Sequence, residues 1–253
     1  METIASPYLI AFLFFLIALA YSAVGLGGGS SYTALMFILG FSTLVIPTVS
    51  LTLNLFVTSV GSFNFIRNKH AKLKLILPFL VASIPMAYLG GSLQLPKEVF
   101  YWILLASLLF VVARIYLWEN MSLQLNLSER ERLVVSIASG GVLGLIAGIA
   151  GIGGGIYLVP LIIILGLGTA KQAAACGVIF IWLNSASGLV ARAQHNPINL
   201  SDYIPIVIAV LTGGLIGSYF GARKLSPKIM EKILGAIIIV AIGLLVRKLL
   251  ISG

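Results

Sequence analysis

Apolar residues fall along this chain in ten pieces: 8–24, 31–40, 43–66, 75–93, 98–117, 133–150, 156–167, 171–193, 203–222 and 229–250. Most are about 20 residues long, which as α-helix spans a hydrocarbon core of about 30 Å. From Thr3 to Ile66 there is no Lys, Arg, Asp or Glu. Two pieces, 31–40 and 156–167, are too short to cross as straight helices. Each reads either as a re-entrant half-helix or as the far part of a helix broken at the preceding glycines. The pattern predicts an all-α, polytopic membrane protein, seated in a lipid bilayer, with eight full spans and two short half-helices.

Composition agrees. Hydrophobic residues make up 60% of the 253 and charged residues only 9%, where a soluble domain carries roughly a quarter. A net charge of +9 would suggest nucleic acid in a soluble protein. Here the basic residues sit in short links between apolar pieces, where they set topology, so no nucleic-acid partner is expected. Ala18-Leu19-Ala20 resembles a signal-peptidase site, but Met1–Pro7 lacks a basic leader, and 8–24 is expected to be a retained segment.

The chain repeats itself. Gly25-Leu26-Gly27-Gly28-Gly29 recurs as Gly151-Ile152-Gly153-Gly154-Gly155. Each motif leads into a short apolar piece that ends in a glycine turn, at Gly40 and at Gly166/Gly168. Pro96-Lys97 and Pro227-Lys228 precede the last piece of each half. The hydrophilic stretch Trp118–Arg132 divides the chain into a first repeat, 1–117, a linker, 118–132, and a second repeat, 133–253. Inverted halves would place 67–74, 114–132, 171 and 223–232 on one side, with 12 of the 16 Lys and Arg residues. Parallel halves give at best a 10 to 6 split of those charges. The positive-inside rule prefers inverted repeats, with 67–74 in the cytoplasm.

Glycine lets the backbone leave a helix and lets other groups approach closely. Non-helical backbone at membrane depth is tolerated only where protein or a wet cavity satisfies it. A helix starting after such a break aims free N–H groups and its positive dipole end at the break, which suits an anion. Paired breaks in two repeats point to a transport site near the midplane. The candidate substrate-binding residues are therefore Gly25, Gly27, Gly28, Gly29, Ser30, Ser31, Tyr32, Gly151, Gly153, Gly154, Gly155 and Tyr157. The competing explanation is close helix packing, which fits the four-residue stripes Gly140/Gly144/Gly148 and Gly213/Gly217/Gly221 better.

Asn54 and Asn184 lie at related places in long apolar pieces and join the candidates, either binding substrate oxygens or bonding across helices. Ser50 with Cys176, and Ser62 with Ser187, are expected to correspond and to pack. His70, His195 and Arg192 close their segments and are candidates for gating or coupling. Interfacial placement, with Arg192 and Arg67 snorkelling, explains them more simply. All seven acids lie in or near links or segment ends, which argues against a carboxylate relay and suits an anion. One cysteine and two separated histidines make no metal set. No cofactor is expected, no Walker motif is present, and no nucleophile–base pair suggests an enzyme.

Duplicated GxGGG motifs, each closing an apolar segment and followed by a short apolar run, resemble the sulfite exporter TauE/SafE family, also called the toluene sulfonate uptake permease family. The resemblance spans nearly the whole chain, and Gly151–Gly155 with Pro160, Gly166 and Ala173–Ala175 carries it best. The first half departs, with Ala34 near the place of Pro160 and Pro47 where the later half has Ala173. The resemblance implies a secondary permease in a prokaryotic plasma membrane for small sulfur-containing anions such as sulfite, sulfonates or thiosulfate. An anion channel, a permease for a small carboxylate or other oxyanion, and a scaffold subunit are the competing classes.

Overall fold

In the computed structural model the described residues are 6–23, 26–67, 71–117, 127–195, 199–221 and 227–252. Gly25 and His70 lie outside them. The described residues form ten α-helices and one 3₁₀ turn: α1 (Pro7–Ala23), α2 (Gly29–Ile38), α3 (Val45–Arg67), α4 (Leu73–Ser92), α5 (Lys97–Tyr116), α6 (Glu129–Ala150), α7 (Gly155–Ile164), α8 (Ala170–His195), the turn Leu200–Tyr203, α9 (Ile204–Gly221) and α10 (Pro227–Ser252). Four contain stretches long and apolar enough to cross a membrane: Val45–Phe63, Leu73–Ser92, Glu129–Ala150 and Lys171–His195. Shorter apolar helices cover Pro7–Ser22, Gly155–Ile164, Ser201–Gly217 and Ile238–Arg247. With 36–87% exposure on 35 large apolar side chains such as Tyr8, Leu73 and Trp102, the outer surface suits lipid rather than water.

Local chemistry explains several boundaries. Ser128 opens α6 with a capping box: its Oγ accepts from the Glu131 N–H at 3.3 Å, and its own N–H donates to Glu131 Oε2 at 2.8 Å. The short helices α2 and α7 end alike. Phe41 N–H donates to the Met36 carbonyl and Leu167 N–H to that of Ile162, around left-handed Gly40 and Gly166.

The glycine stripes pack helices, as their spacing predicts. A Cβ on Gly140, Gly144 or Gly148 of α6 would strike the carbonyl of Phe79, Ser83 or Ala87 of α4 in turn. Likewise Gly213 and Gly217 of α9 back onto the carbonyls of Phe15 and Leu19 of α1. Residue numbers rise together across both seams, so α4 runs parallel to α6 and α1 parallel to α9. At such seams the missing side chain gives backbone-to-backbone contact, a source of helix association in lipid.

α3 and α8 cross at the centre of the molecule in the opposite sense. Gly61 meets Val178, Trp182 Nε1 donates to Ser59 Oγ at 2.9 Å, and Gly188 meets Leu51. Numbers fall on one helix as they rise on the other, so the pair is antiparallel. α8 in turn runs parallel to α4, since Ser187 Oγ donates to the Ile84 carbonyl at 2.7 Å and Tyr88 OH to Gln194 Oε1 at 2.8 Å.

Candidate functional site

The two glycine motifs meet against the middles of α3 and α8. α1 ends at Ala23, and α2 begins at Gly29 behind Gly28, whose φ is 91°. α6 ends at Ala150, and α7 begins at Gly155 behind Gly154, whose φ is 77°. An ordinary N-cap is extended and carries a side-chain acceptor. These two caps are left-handed, which favours glycine, and neither α2 nor α7 has a side-chain cap bond. The N–H groups of Ser31 and Tyr157 already bond the cap carbonyls of Gly28 and Gly154, which leaves those of Gly29, Ser30, Gly155 and Ile156 with no carbonyl ahead of them in the helix.

The motifs touch each other directly. A Cβ on Gly29 would strike the carbonyl of Ile152. Ser50 of α3 ties them together, its hydroxyl lying 2.7 Å from the Gly151 carbonyl and 3.3 Å from that of Gly29. Residues 26–37 and 147–160 are all buried, so this arrangement is closed to both sides.

Asn54 stands between the motifs. It is fully buried, and neither its Oδ1 nor its Nδ2 has a protein partner. Among the described buried side chains it is the one with both polar ends unpartnered. The Cβ position of Gly27 is 2.9 Å from Asn54 Oδ1, and that of Gly153 is 2.9 Å from Asn54 Nδ2. Ser185 of α8, also fully buried and unpartnered, has its Oγ 3.3 Å from the same Gly153 position. Leaving such groups unbonded costs about 1–3 kcal/mol each.

The contacts across α3 and α8 are reciprocal, in a register other than the expected pairing. Gly27 lies against Asn54, Thr58 and Ile181, while Gly153 lies against Ile181, Ser185 and Asn54. Gly61 faces Val178 just as Gly188 faces Leu51. Exchanging the members of each pair makes Ile181 the counterpart of Asn54, Ser185 that of Thr58, and Gly177 that of Ser50. Asn184 is thus not the equivalent of Asn54, nor Cys176 that of Ser50. Asn184 is buried and donates through Nδ2 to the Phe180 carbonyl at 2.8 Å, its Oδ1 being unpartnered.

The other candidates separate. Ser30 and Ser31 both bond the hydroxyl of Tyr21, each at 2.9 Å; sequence reasoning missed Tyr21, which sits on α1 before the motif. Tyr32 is fully buried, stacks on Phe14 at 5.6 Å and folds its ring beside Gly28. Tyr157 points away, its hydroxyl 3.4 Å from the Ser107 carbonyl on α5. His195 is exposed at the end of α8, with Nδ1 3.1 Å from the Ala191 carbonyl. Arg192 does not snorkel. It is buried, and its Nη2 donates to the Gly148 and Ile149 carbonyls, both at 2.8 Å. Two small cavities flank the motifs. One is lined by Leu26, Thr58, Gly61, Val178 and Gly214 among others, and the second by Thr43, Pro47, Gln94, Ile149 and Arg192 among others.

Comparisons with known proteins agree with one another. The sequence profile of the sulfite exporter TauE/SafE family matches residues 10–246. A probable membrane transporter protein of Sinorhizobium fredii, y4hK, is 35% identical over 238 residues, covering 92% of this chain and 95% of that protein. A probable membrane transporter protein of Methanocaldococcus jannaschii, MJ0441, is 27% identical over 253 residues, covering 88% and 89%. YjnA of Bacillus subtilis, described in the same words, is 22% identical over 238 residues, covering 86% and 91%. No solved structure matches. With its apolar spans, the chain is a multi-pass cell-membrane protein, and it belongs to the sulfite exporter TauE/SafE family of membrane transporters.

Proposed function

We propose that the chain is a secondary permease for small sulfur-containing oxyanions of the sulfite, sulfonate and thiosulfate class, bound between the two glycine motifs near the bilayer midplane. The single observation that carries this reading is Asn54, fully buried between the motifs with both ends of its amide unpartnered. The leading N–H groups of α2 and α7, at Gly29, Ser30, Gly155 and Ile156, together with Asn54 Nδ2 and Ser185 Oγ, offer several neutral donors to one oxyanion. The positive ends of two helix dipoles favour its charge. The choice of sulfur rests on the family's own description.

The repeats are read as inverted, 1–117 against 133–253 across the linker 118–132. Antiparallel α3 and α8, with their reciprocal contacts, support this, because equivalent helices of inverted halves must run oppositely. α4, α6 and α8 then start on one face, whose connections carry 12 of the 16 Lys and Arg residues; that face is cytoplasmic. There Lys72, Lys74 and Arg132 line a cleft of about 440 Å³ with one acid, Glu129, a field that draws in anions. α1 with α2, and α6 with α7, form two hairpins that enter from opposite faces and meet at the glycines. Rocking one half against the other would open the site to each face in turn. The closed packing around Asn54 favours a carrier over an open anion channel.

The test is transport by purified protein in liposomes. Uptake of labelled sulfite or thiosulfate that saturates, and that a simple carboxylate does not compete away, is expected. Selective uptake of a carboxylate alone would replace the substrate class, and single-channel currents would replace the carrier.

A further inference from the structure

Arg192 is a cation alone in an apolar interior. It is 7% exposed, and no carboxylate among the described residues pairs with it. Its Nη2 is committed to the last carbonyls of α6, at Gly148 and Ile149, while its Nε has no protein partner. The pairing of α3 with α8 puts Phe65 at the corresponding place in the first half, so this charge stands on one side of the molecule only. Capping a helix C-terminus is favourable for a cation, yet a buried guanidinium without a counter-charge or full bonding is strongly unfavourable.

A cavity shows where the missing partner fits. Arg192 and Ile149 line a space of about 30 Å³ whose other residues include Thr43 and Gln94, from the α2–α3 and α4–α5 connections, and Pro47. The same Pro47 lies against Gly151, whose Cβ position is 2.5 Å from the Pro47 Cα. The space therefore lies between two surface connections and Pro47, which in turn touches the second glycine motif, and the buried cation Arg192 is among its lining residues. At this volume it holds about one water, so an oxyanion is admitted only when the α2–α3 and α4–α5 connections part.

We propose that this cavity is a second anion-binding subsite, in which Arg192 supplies the positive charge that the site between the motifs lacks. It rests on the reading of the protein as an oxyanion permease. An oxyanion entering past Thr43 and Gln94 meets the guanidinium of Arg192, whose bonds to α6 couple that occupancy to the end of α6 and hence to the glycine motif beyond it. The planar fork of arginine suits such an anion better than a lysine point charge does.

The experiment measures equilibrium binding of labelled sulfite to purified protein in detergent, for wild type, Arg192→Gln, Arg192→Lys, Gln94→Trp and Asn54→Leu. The expected result is a Kd raised about tenfold or more in Arg192→Gln, with partial recovery in Arg192→Lys. Gln94→Trp, at an exposed position, is expected to weaken binding with no change in melting temperature. A purely structural cap would lower the melting temperature of Arg192→Gln and leave its Kd alone, which would overturn the subsite. If Arg192→Gln does not fold, wild-type affinity in Gln94→Trp overturns it instead. Binding that Asn54→Leu abolishes and Arg192→Gln spares keeps the site between the motifs and removes the subsite. No sulfite binding by wild type removes both.

Discussion

Asn54 and Ile181 hold reciprocal places: each stands beside both Gly27 and Gly153, one reaching in from α3 and the other from α8. One partner is a fully buried amide and the other a buried alkyl side chain. In the proposed site, Asn54 from α3 and Ser185 from α8 are the unpartnered hydrogen-bonding side chains beside Gly153.

Ser50 is predicted to matter for stability before it matters for binding. Its hydroxyl lies against the Gly29 and Gly151 carbonyls; Thr33 Oγ1 also donates to Gly29, so Ser50→Ala chiefly leaves the buried Gly151 carbonyl short of a donor. The expected loss is about 1–3 kcal/mol, read as a lower melting temperature in detergent.

Gly153 combines a φ of 80° with a Cβ position 2.8 Å from Ile181 Cγ2 and 2.9 Å from Asn54 Nδ2. Gly153→Ala is expected to cost about 1–2 kcal/mol from backbone conformation alone and to press a methyl against Asn54 Nδ2 and Ile181. Anion-induced thermal stabilisation is expected to vanish in this variant. Full stabilisation with a normal affinity would remove the motif from the site.

Gly144 faces backbone, not the site: its Cβ would meet the Ser83 carbonyl. Gly144→Val is expected to destabilise the protein by several kcal/mol, since overpacking typically costs ~1–3 kcal/mol and here the neighbour is rigid backbone. The anion selectivity of whatever folds should stay as in wild type, which competition binding checks.

Inverted halves make a labelling prediction. In a Cys176→Ser background, cysteines at Ala71 and Thr169 should react with an impermeant maleimide from one face, and cysteines at Gly40 and Leu95 from the opposite face. Parallel halves would separate Ala71 from Thr169.

Much of the fold is legible in the sequence because lipid imposes length and polarity on each helix. The apolar pieces 75–93 and 98–117 lie within a residue or two of α4 and α5, and the stripes at Gly144 and Gly217 announce close seams. The register of α3 on α8 is not legible. It depends on side chains more than a hundred residues apart, and the two asparagines invite a pairing that the contacts replace with Asn54 and Ile181. Nor does local sequence foretell that Tyr157 turns to Ser107, that Tyr21 bonds Ser30 and Ser31, or that Arg192 folds inward onto the end of α6. Each depends on which helix happens to lie alongside.

The central claim is that the unpartnered amide of Asn54 is kept for an anion. Thermal unfolding of Asn54→Leu, with and without sulfite or thiosulfate, tests it most directly, because leucine keeps the branched shape and removes the polar atoms. The account predicts a variant at least as stable as wild type without anion, and no longer stabilised by any sulfur oxyanion that stabilises wild type. A variant that is destabilised without anion, yet still gains the full wild-type stabilisation with it, would contradict the account and return Asn54 to a packing role.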